Sequence, residues 1–150
     1  MNEAPLLICY DDSTGARHAI ESAAALFPGR RAVVLDVAAP VTPQETLAEL
    51  GPAIPDLGEI NTADALANAR LGAKLARENG LEAEARADLA APTWDGVVEA
   101  ADDIDAAAIV IGSRGLKGAR ELLQGSLSHE VAEHAGRPVL IVPPPRRGTH

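Results

Sequence analysis

The chain is expected to fold as a three-layer α/β/α sandwich around a five-stranded parallel sheet. Three observations predict this. Short apolar runs alternate with amphipathic stretches in the order β-α-β-α-β-α-β-α-β, and such alternation implies parallel strands joined by right-handed helical crossovers. A chain of 150 residues is the size of one domain and can remove roughly 70% of its unfolded surface from water. Apolar residues make up 47% of it, nearly all Ala, Leu, Val and Ile, enough for a core without metal or disulfide.

The elements follow in order. Leu6-Leu7-Ile8-Cys9-Tyr10 is an apolar run ending in Asp11-Asp12-Ser13, a buried strand closing into a polar loop. Ala16, Ala19, Ile20, Ala23, Ala24 and Phe27 recur at helical spacing until Pro28-Gly29. Ala32 to Val37 is the second strand. The segment 38–61 carries Pro40, Pro43, Pro52 and Pro55 and is expected to hold one short helical turn near Gln44 to Leu50. Thr62 is expected to cap a helix whose small-residue face is Ala65, Ala69, Gly72, Ala73 and Ala76, ending at Asn79-Gly80. Leu81 to Leu89 alternates polar and apolar residues, as a half-exposed strand does. A helix is expected over Thr93 to Ala101, a strand over Ala106 to Ile111, a helix over Glu121 to Ala135 and a last strand over Val139 to Val142. One domain over 1–145 and a disordered tail over 146–150 complete the reading.

Composition excludes several functions. The three aromatic residues are Tyr10, Phe27 and Trp94, too few to stack single-stranded nucleic acid. A net charge of -9 is the wrong sign for a phosphate-backbone binder. Cys9 is the single cysteine, so no internal disulfide or cysteine-based zinc site is expected, which suits a reducing compartment. No apolar run approaches the ~20 residues that cross a bilayer, and Met1 to Pro5 lacks the basic start of a signal peptide. A cytoplasmic protein with no nucleic-acid or membrane partner is the expectation.

Two strand ends carry the chemistry. The fourth strand runs into Gly112-Ser113-Arg114-Gly115-Leu116-Lys117-Gly118, and the next helix contains Gly125-Ser126-Leu127-Ser128. Glycines past a buried strand permit positive φ and close ligand approach. Free amides at a helix start, with the Ser126 and Ser128 hydroxyls, suit phosphate oxygens. The Walker loop and the G-x-G-x-x-G fingerprint are both absent. Spacing alone leaves a plain glycine-rich turn equally open.

The spacing Gly112-x2-Gly115-x9-Gly125-Ser126 is similar to G-2x-G-9x-G-[ST], the ATP-binding motif of the universal stress protein family. The surrounding text resembles that family too: Ile109 to Gly115, Gly125 to His129, Arg137 to Val142, and the Asp11-x-Ser13 opening. The resemblance spans Leu6 to Val142. It implies strand order 3-2-1-4-5, with the Asp11 and Gly112 loops flanking one crevice that holds ATP, Mg²⁺ or another divalent ion lying on its phosphates. By the same resemblance, Gly112, Gly115, Gly125 and Ser126 receive phosphates and ribose, with Ile111, Leu127 and Ser128 in the same segment. Asp11 lies near the adenosine and Val37 walls the base. Asp12 stands where Gly is commoner and adds a carboxylate near the cleft. The family also dimerises through its last strand, here Val139, Leu140, Ile141 and Val142, whose apolar row would otherwise be an open edge.

The remaining candidates are weaker. Arg114, Lys117 and Arg120 are placed to offset phosphate charge. His129 and His134 are five apart, off one helical face, and so do not form a zinc pair. Cys9 reads as a small core hydrophobe, Trp94 as a packing residue, and Asp102-Asp103-Ile104-Asp105 as a loop cap. No Ser/His/Asp or Cys/His arrangement and no P-loop lysine appears. A nucleotide-binding stress-response module therefore ranks above an ATPase or nucleotidyl-transfer enzyme, a module acting through protein contacts alone, and a flavin carrier, which needs more aromatics.

Overall fold

The computed structural model describes residues 3–40, 57–113 and 127–146, without the side chains of 57–61. Five parallel strands form one sheet: β1 Leu6–Cys9, β2 Arg31–Ala38, β3 Glu82–Leu89, β4 Ala108–Gly112 and β5 Val139–Val142. Four helices are described: α1 Thr14–Leu26, α2 Leu57–Glu78, α3 Thr93–Ile104 and α4 Leu127–His134. The strand order is β3-β2-β1-β4-β5, as the family resemblance implied. Order therefore reverses between β1 and β4, which pair through Leu6 with Ala108 and Ile8 with Val110.

The side-chain period of a strand divides the core in two. Leu6, Ile8 and Val34 face α1 and α2, packing on Ala19, Ile20, Ala23, Ala73 and Ala76. Leu7, Leu35 and Ile109 face α3 and α4, packing on Val97, Ala100, Ala101 and Val131. Alanine on the helices lets their axes approach the sheet closely. Gly72 takes this furthest, since a Cβ there would lie 2.7 Å from the Tyr10 ring and 2.8 Å from Val34 Cγ1.

Several boundaries differ from expectation. α2 begins at Leu57, five residues before Thr62, and no proline interrupts the chain between Leu57 and Glu78. α3 runs on to Ile104 and stops where Asp105 turns left-handed, φ 51°, its N–H bonding Ala101 and Asp102 carbonyls. The acidic run is therefore helical rather than a loop cap. Asp102 binds Arg137 at 2.6 Å and Asp103 binds Arg86 at 2.7 Å, tying α3 to the turn before β5 and to β3. β4 begins two residues later than expected. Gly80 ends α2 region as predicted, at φ +99°. The expected turn at Gln44 to Leu50, the start of the last helix at 121–126 and the tail at 147–150 lie outside the described residues.

Candidate functional site

A pocket opens at the carboxyl ends of β1, β2 and β4, where strand order reverses and α/β sheets hold their ligands. It encloses about 430 Å³ of empty space, its mouth included. Five residues predicted from sequence line it: Asp11, Val37, Ile111, Gly112 and Leu127. Val97 and Leu35 extend the apolar wall, while Asp36, Cys9 and Thr93 add polar atoms.

The β1–α1 loop is built by its own side chains. Asp11 Oδ1 accepts from the Ser13 N–H at 3.0 Å, and Ser13 Oγ accepts from the Ala16 N–H at 3.1 Å. The first bond tightens the turn and the second caps α1. Between them Asp12 sits at φ +66°, a conformation that glycine adopts freely and that Asp or Asn tolerates. Its carboxylate repays the strain locally. Oδ1 accepts from the Tyr10 phenol at 2.8 Å and from Arg17 Nη2 at 2.7 Å. Arg17 first, then Tyr10, holds the Asp12 carboxyl below the usual carboxylate range. Burial pushes the Tyr10 phenol upward. The added carboxylate is thus spent on Arg17, and its charge is balanced outside the pocket lining.

Gly112 lines the pocket as expected, but without the positive φ expected of a glycine there. A Cβ on it would meet the Gly15 carbonyl oxygen at 3.1 Å. The missing side chain lets β4 run close under the start of α1.

Asp36 is the residue that sequence reading missed. It stands near the end of β2, half-buried in the pocket wall, and Asn68 Nδ2 of α2 donates to its Oδ2 at 3.2 Å. Burial, opposed by the Asn68 bond and joined by the neighbouring Asp11 charge, pushes its carboxyl up to about 6. A signal existed, because Asp36 is the single charge inside Ala32 to Ala38, a run otherwise apolar enough for a fully buried strand. Cys9 lines the same pocket instead of lying wholly in the core. Burial, with Asp11 and Asp36 beside it, pushes its thiol up to about 12, which removes the thiolate a nucleophile needs.

The other predicted residues divide. Ser128 is buried, 5% exposed, in the first turn of α4 and is not part of the pocket lining. Arg114, Gly115, Gly125, Ser126, Lys117 and Arg120 lie outside the described residues. Trp94 packs, as expected, with its ring stacked on His134 at 4.0 Å between centroids. His134 also places Nδ1 2.9 Å from the Glu130 carbonyl. Glu130, Glu133 and His134 form a group on α4, half-buried at Glu130 and exposed at the other two, and His129 Nε2 reaches Glu133 Oε1 at 3.8 Å.

The sheet order, the two-sided helical cover and the pocket at the switch point define a Rossmann-like α/β protein. Residues 4–143 match the Universal stress protein family, and the chain belongs to it. Among curated relatives, the universal stress protein YxiE of Bacillus subtilis (strain 168) is 37% identical over 67 residues. That match spans 45% of this chain and 45% of YxiE, under half the length of either. A universal stress protein solved in complex with cAMP superposes with a TM-score of 0.68 at 24% identity, covering 95% of this chain and 100% of that one. The universal stress protein of Archaeoglobus fulgidus gives 0.64 at 25% identity, over 93% and 98%. A structure of the Archaeoglobus fulgidus protein in complex with dAMP gives 0.60 at 23%, over 95% and 99%.

Proposed function

We propose that this chain is a cytoplasmic stress-response module that binds ATP, with Mg²⁺ on the phosphates, and acts by changing its dimer or partner contacts rather than by turnover. The observation that carries the reading is the pocket itself. Five residues carried over from the family resemblance converge there from the β1–α1 loop, β2, β4 and α4, where strand order reverses. The residues fit a nucleoside: Val37, Val97, Ile111 and Leu127 offer apolar walls for a base, and Asp11 and Asp36 offer acceptors for its donors. The family and the cAMP- and dAMP-bound neighbours support an adenine ligand. Phosphates and ribose fall to Gly112, Gly115, Gly125 and Ser126, the motif residues, with Arg114 beside them in sequence. No described helix is long and apolar enough to cross a membrane.

Dimerisation belongs to the same proposal. β5 is an edge strand, and Ile141 on it is 40% exposed. The opposite edge, β3, carries Glu82, Glu84, Arg86 and Asp88 along one face, the kind of charge that discourages strand pairing. The apolar edge is the one left to pair. Calorimetry with ATP and Mg²⁺ tests the core of the reading. Wild-type protein should release heat at up to millimolar ATP, and Gly115→Val should abolish it while circular dichroism stays unchanged. No heat from the wild type removes the proposal.

A further inference from the structure

Asp36 is a carboxylate in a pocket wall that is otherwise largely apolar, and burying it there costs free energy. Two scaffold groups hold it: the Asn68 amide from α2 at 3.2 Å and the Val37 backbone N–H. An ionised carboxylate has about four lone-pair sites, so acceptor capacity remains after both bonds. Asp11, from the adjacent strand end, lines the same pocket with Oδ1 tied to the Ser13 N–H. The described residues lining the pocket include no Lys, Arg or His to neutralise either group. The remaining acceptors are open to hydrogen-bond donors on a ligand. An acceptor or a negative charge placed against Asp36 would be repelled.

We propose that Asp36, oriented by Asn68, is a specificity-determining acceptor that selects ligands presenting a neutral hydrogen-bond donor, an exocyclic amine or a ribose hydroxyl, on their nucleoside half. The inference rests on the nucleotide-binding reading above and extends it to which nucleosides bind. It assigns Asn68, a residue of α2 outside the pocket lining, the work of fixing the carboxylate's direction. Discrimination belongs to the ionised form, since a protonated carboxyl can donate where it must accept. It should fade as pH falls through about 6, the region to which burial and the facing Asp11 raise Asp36. Cys9 and Tyr10, the titratable groups of the described lining besides Asp11 and Asp36, stay neutral throughout that range.

The test is calorimetric titration of the full chain at pH 7.5 with Mg²⁺ and three probes: ATP, ITP and dATP. ITP replaces the amine with an acceptor, and dATP removes one hydroxyl. A hydrogen bond to a charged group corresponds to roughly tenfold or more in affinity. Wild type should favour ATP by about that factor over ITP if the amine is read, or over dATP if the hydroxyl is read. Asp36→Ala should bring the affected ratio close to one, and Asn68→Ala should lower it partway, with both variants folded by circular dichroism. Asp36→Asn serves as a second, near-isosteric variant and should also lower the ratio. Wild-type protein that binds all three probes equally, or ratios unchanged in the Asp36 variants, would overturn this inference while the nucleotide reading stands. Wild-type protein that binds none of the three overturns both.

Discussion

Gly72→Ala adds one methyl group where α2 lies closest to the sheet. The new Cβ would stand 2.7 Å from Tyr10 Cδ2 and Cγ and 2.8 Å from Val34 Cγ1. None of these atoms can retreat cheaply. Val34 is fully buried in β2 and Tyr10 is 4% exposed, and its hydroxyl is fixed to Asp12. Overpacking of this kind costs about 1–3 kcal/mol. Alanine returns about 0.8–1.0 kcal/mol of helix propensity. Three contacts under 3.0 Å to atoms that cannot retreat place the overpacking cost at about 2–3 kcal/mol. The net expectation is therefore destabilisation of about 1–2 kcal/mol, or a melting temperature lower by roughly 2–8 °C for a chain of this length. Urea denaturation followed by circular dichroism measures it. Ala67→Gly, at an exposed position of the same helix, calibrates the propensity contribution separately. Because Tyr10 holds Asp12, displacement of its ring should also loosen the Asp11 loop and weaken nucleotide binding. A Gly72→Ala protein as stable as wild type would show that α2 shifts freely, and the close-packing argument would fail.

Four further outcomes are expected. Asp12→Ala should lose about 1–2 kcal/mol, since alanine resists φ +66° and abandons Tyr10 and Arg17, whereas Asp12→Gly should stay within about 0.5 kcal/mol in the same urea assay. Asp36 has a folded pKa of about 6 against 3.8 in the unfolded chain, so the folded state binds its proton more tightly and stability should rise as pH falls from 7 towards 4; Asp36→Asn should flatten that slope and stabilise the protein at pH 7 by about 1 kcal/mol after discounting for solvent screening. Sedimentation at micromolar concentration should give twice the chain mass, and Ile141→Asp, at an exposed position of β5, should give monomer or precipitate. Cys9 should resist iodoacetamide in native protein at pH 8 and react once urea unfolds it, because burial holds the thiol protonated.

The sequence made the fold legible because its signals were local and agreed with one another. Leu6 to Tyr10, Ala32 to Val37 and Val139 to Val142 are too short and too apolar to be anything but buried strands once helical stripes separate them. Strand order needed the family resemblance, since nothing local in β1 says whether β2 or β4 lies beside it. Errors gathered where a residue type has two uses. Thr62 reads as a cap but lies inside α2, and Asp102 and Asp103 read as loop acids but hold Arg137 and Arg86 from a helix. Asp12 looked like an electrostatic cost to the cleft, because the sequence does not show that Arg17, one helical turn on, takes its charge. Asp36 was overlooked because its meaning depends on Asn68, 32 residues away.

The distribution of charge bears on how an acidic protein would present the proposed nucleotide site. Its net charge is -9, and the described pocket lining adds Asp11 and Asp36 without a cation. Such a lining suits the uncharged half of a nucleotide and repels its phosphates. Arg17 cannot compensate, being committed to Asp12 at 2.7 Å, and Arg86 and Arg137 are committed to acids of β3 and α3. Under the proposed function, the phosphates must then find their positive charge in the glycine-rich segment, where Arg114, Lys117 and Arg120 lie, and in the accompanying Mg²⁺. The two halves of the ligand thus answer to different parts of the chain. On that proposal the strand ends of β1, β2 and β4 would read the nucleoside, and the segment between β4 and α4 would answer to the phosphates. A ligand that lost its phosphates would keep its nucleoside contacts but forfeit the charge pairing, so occupancy can report phosphorylation state without any bond being broken in the pocket.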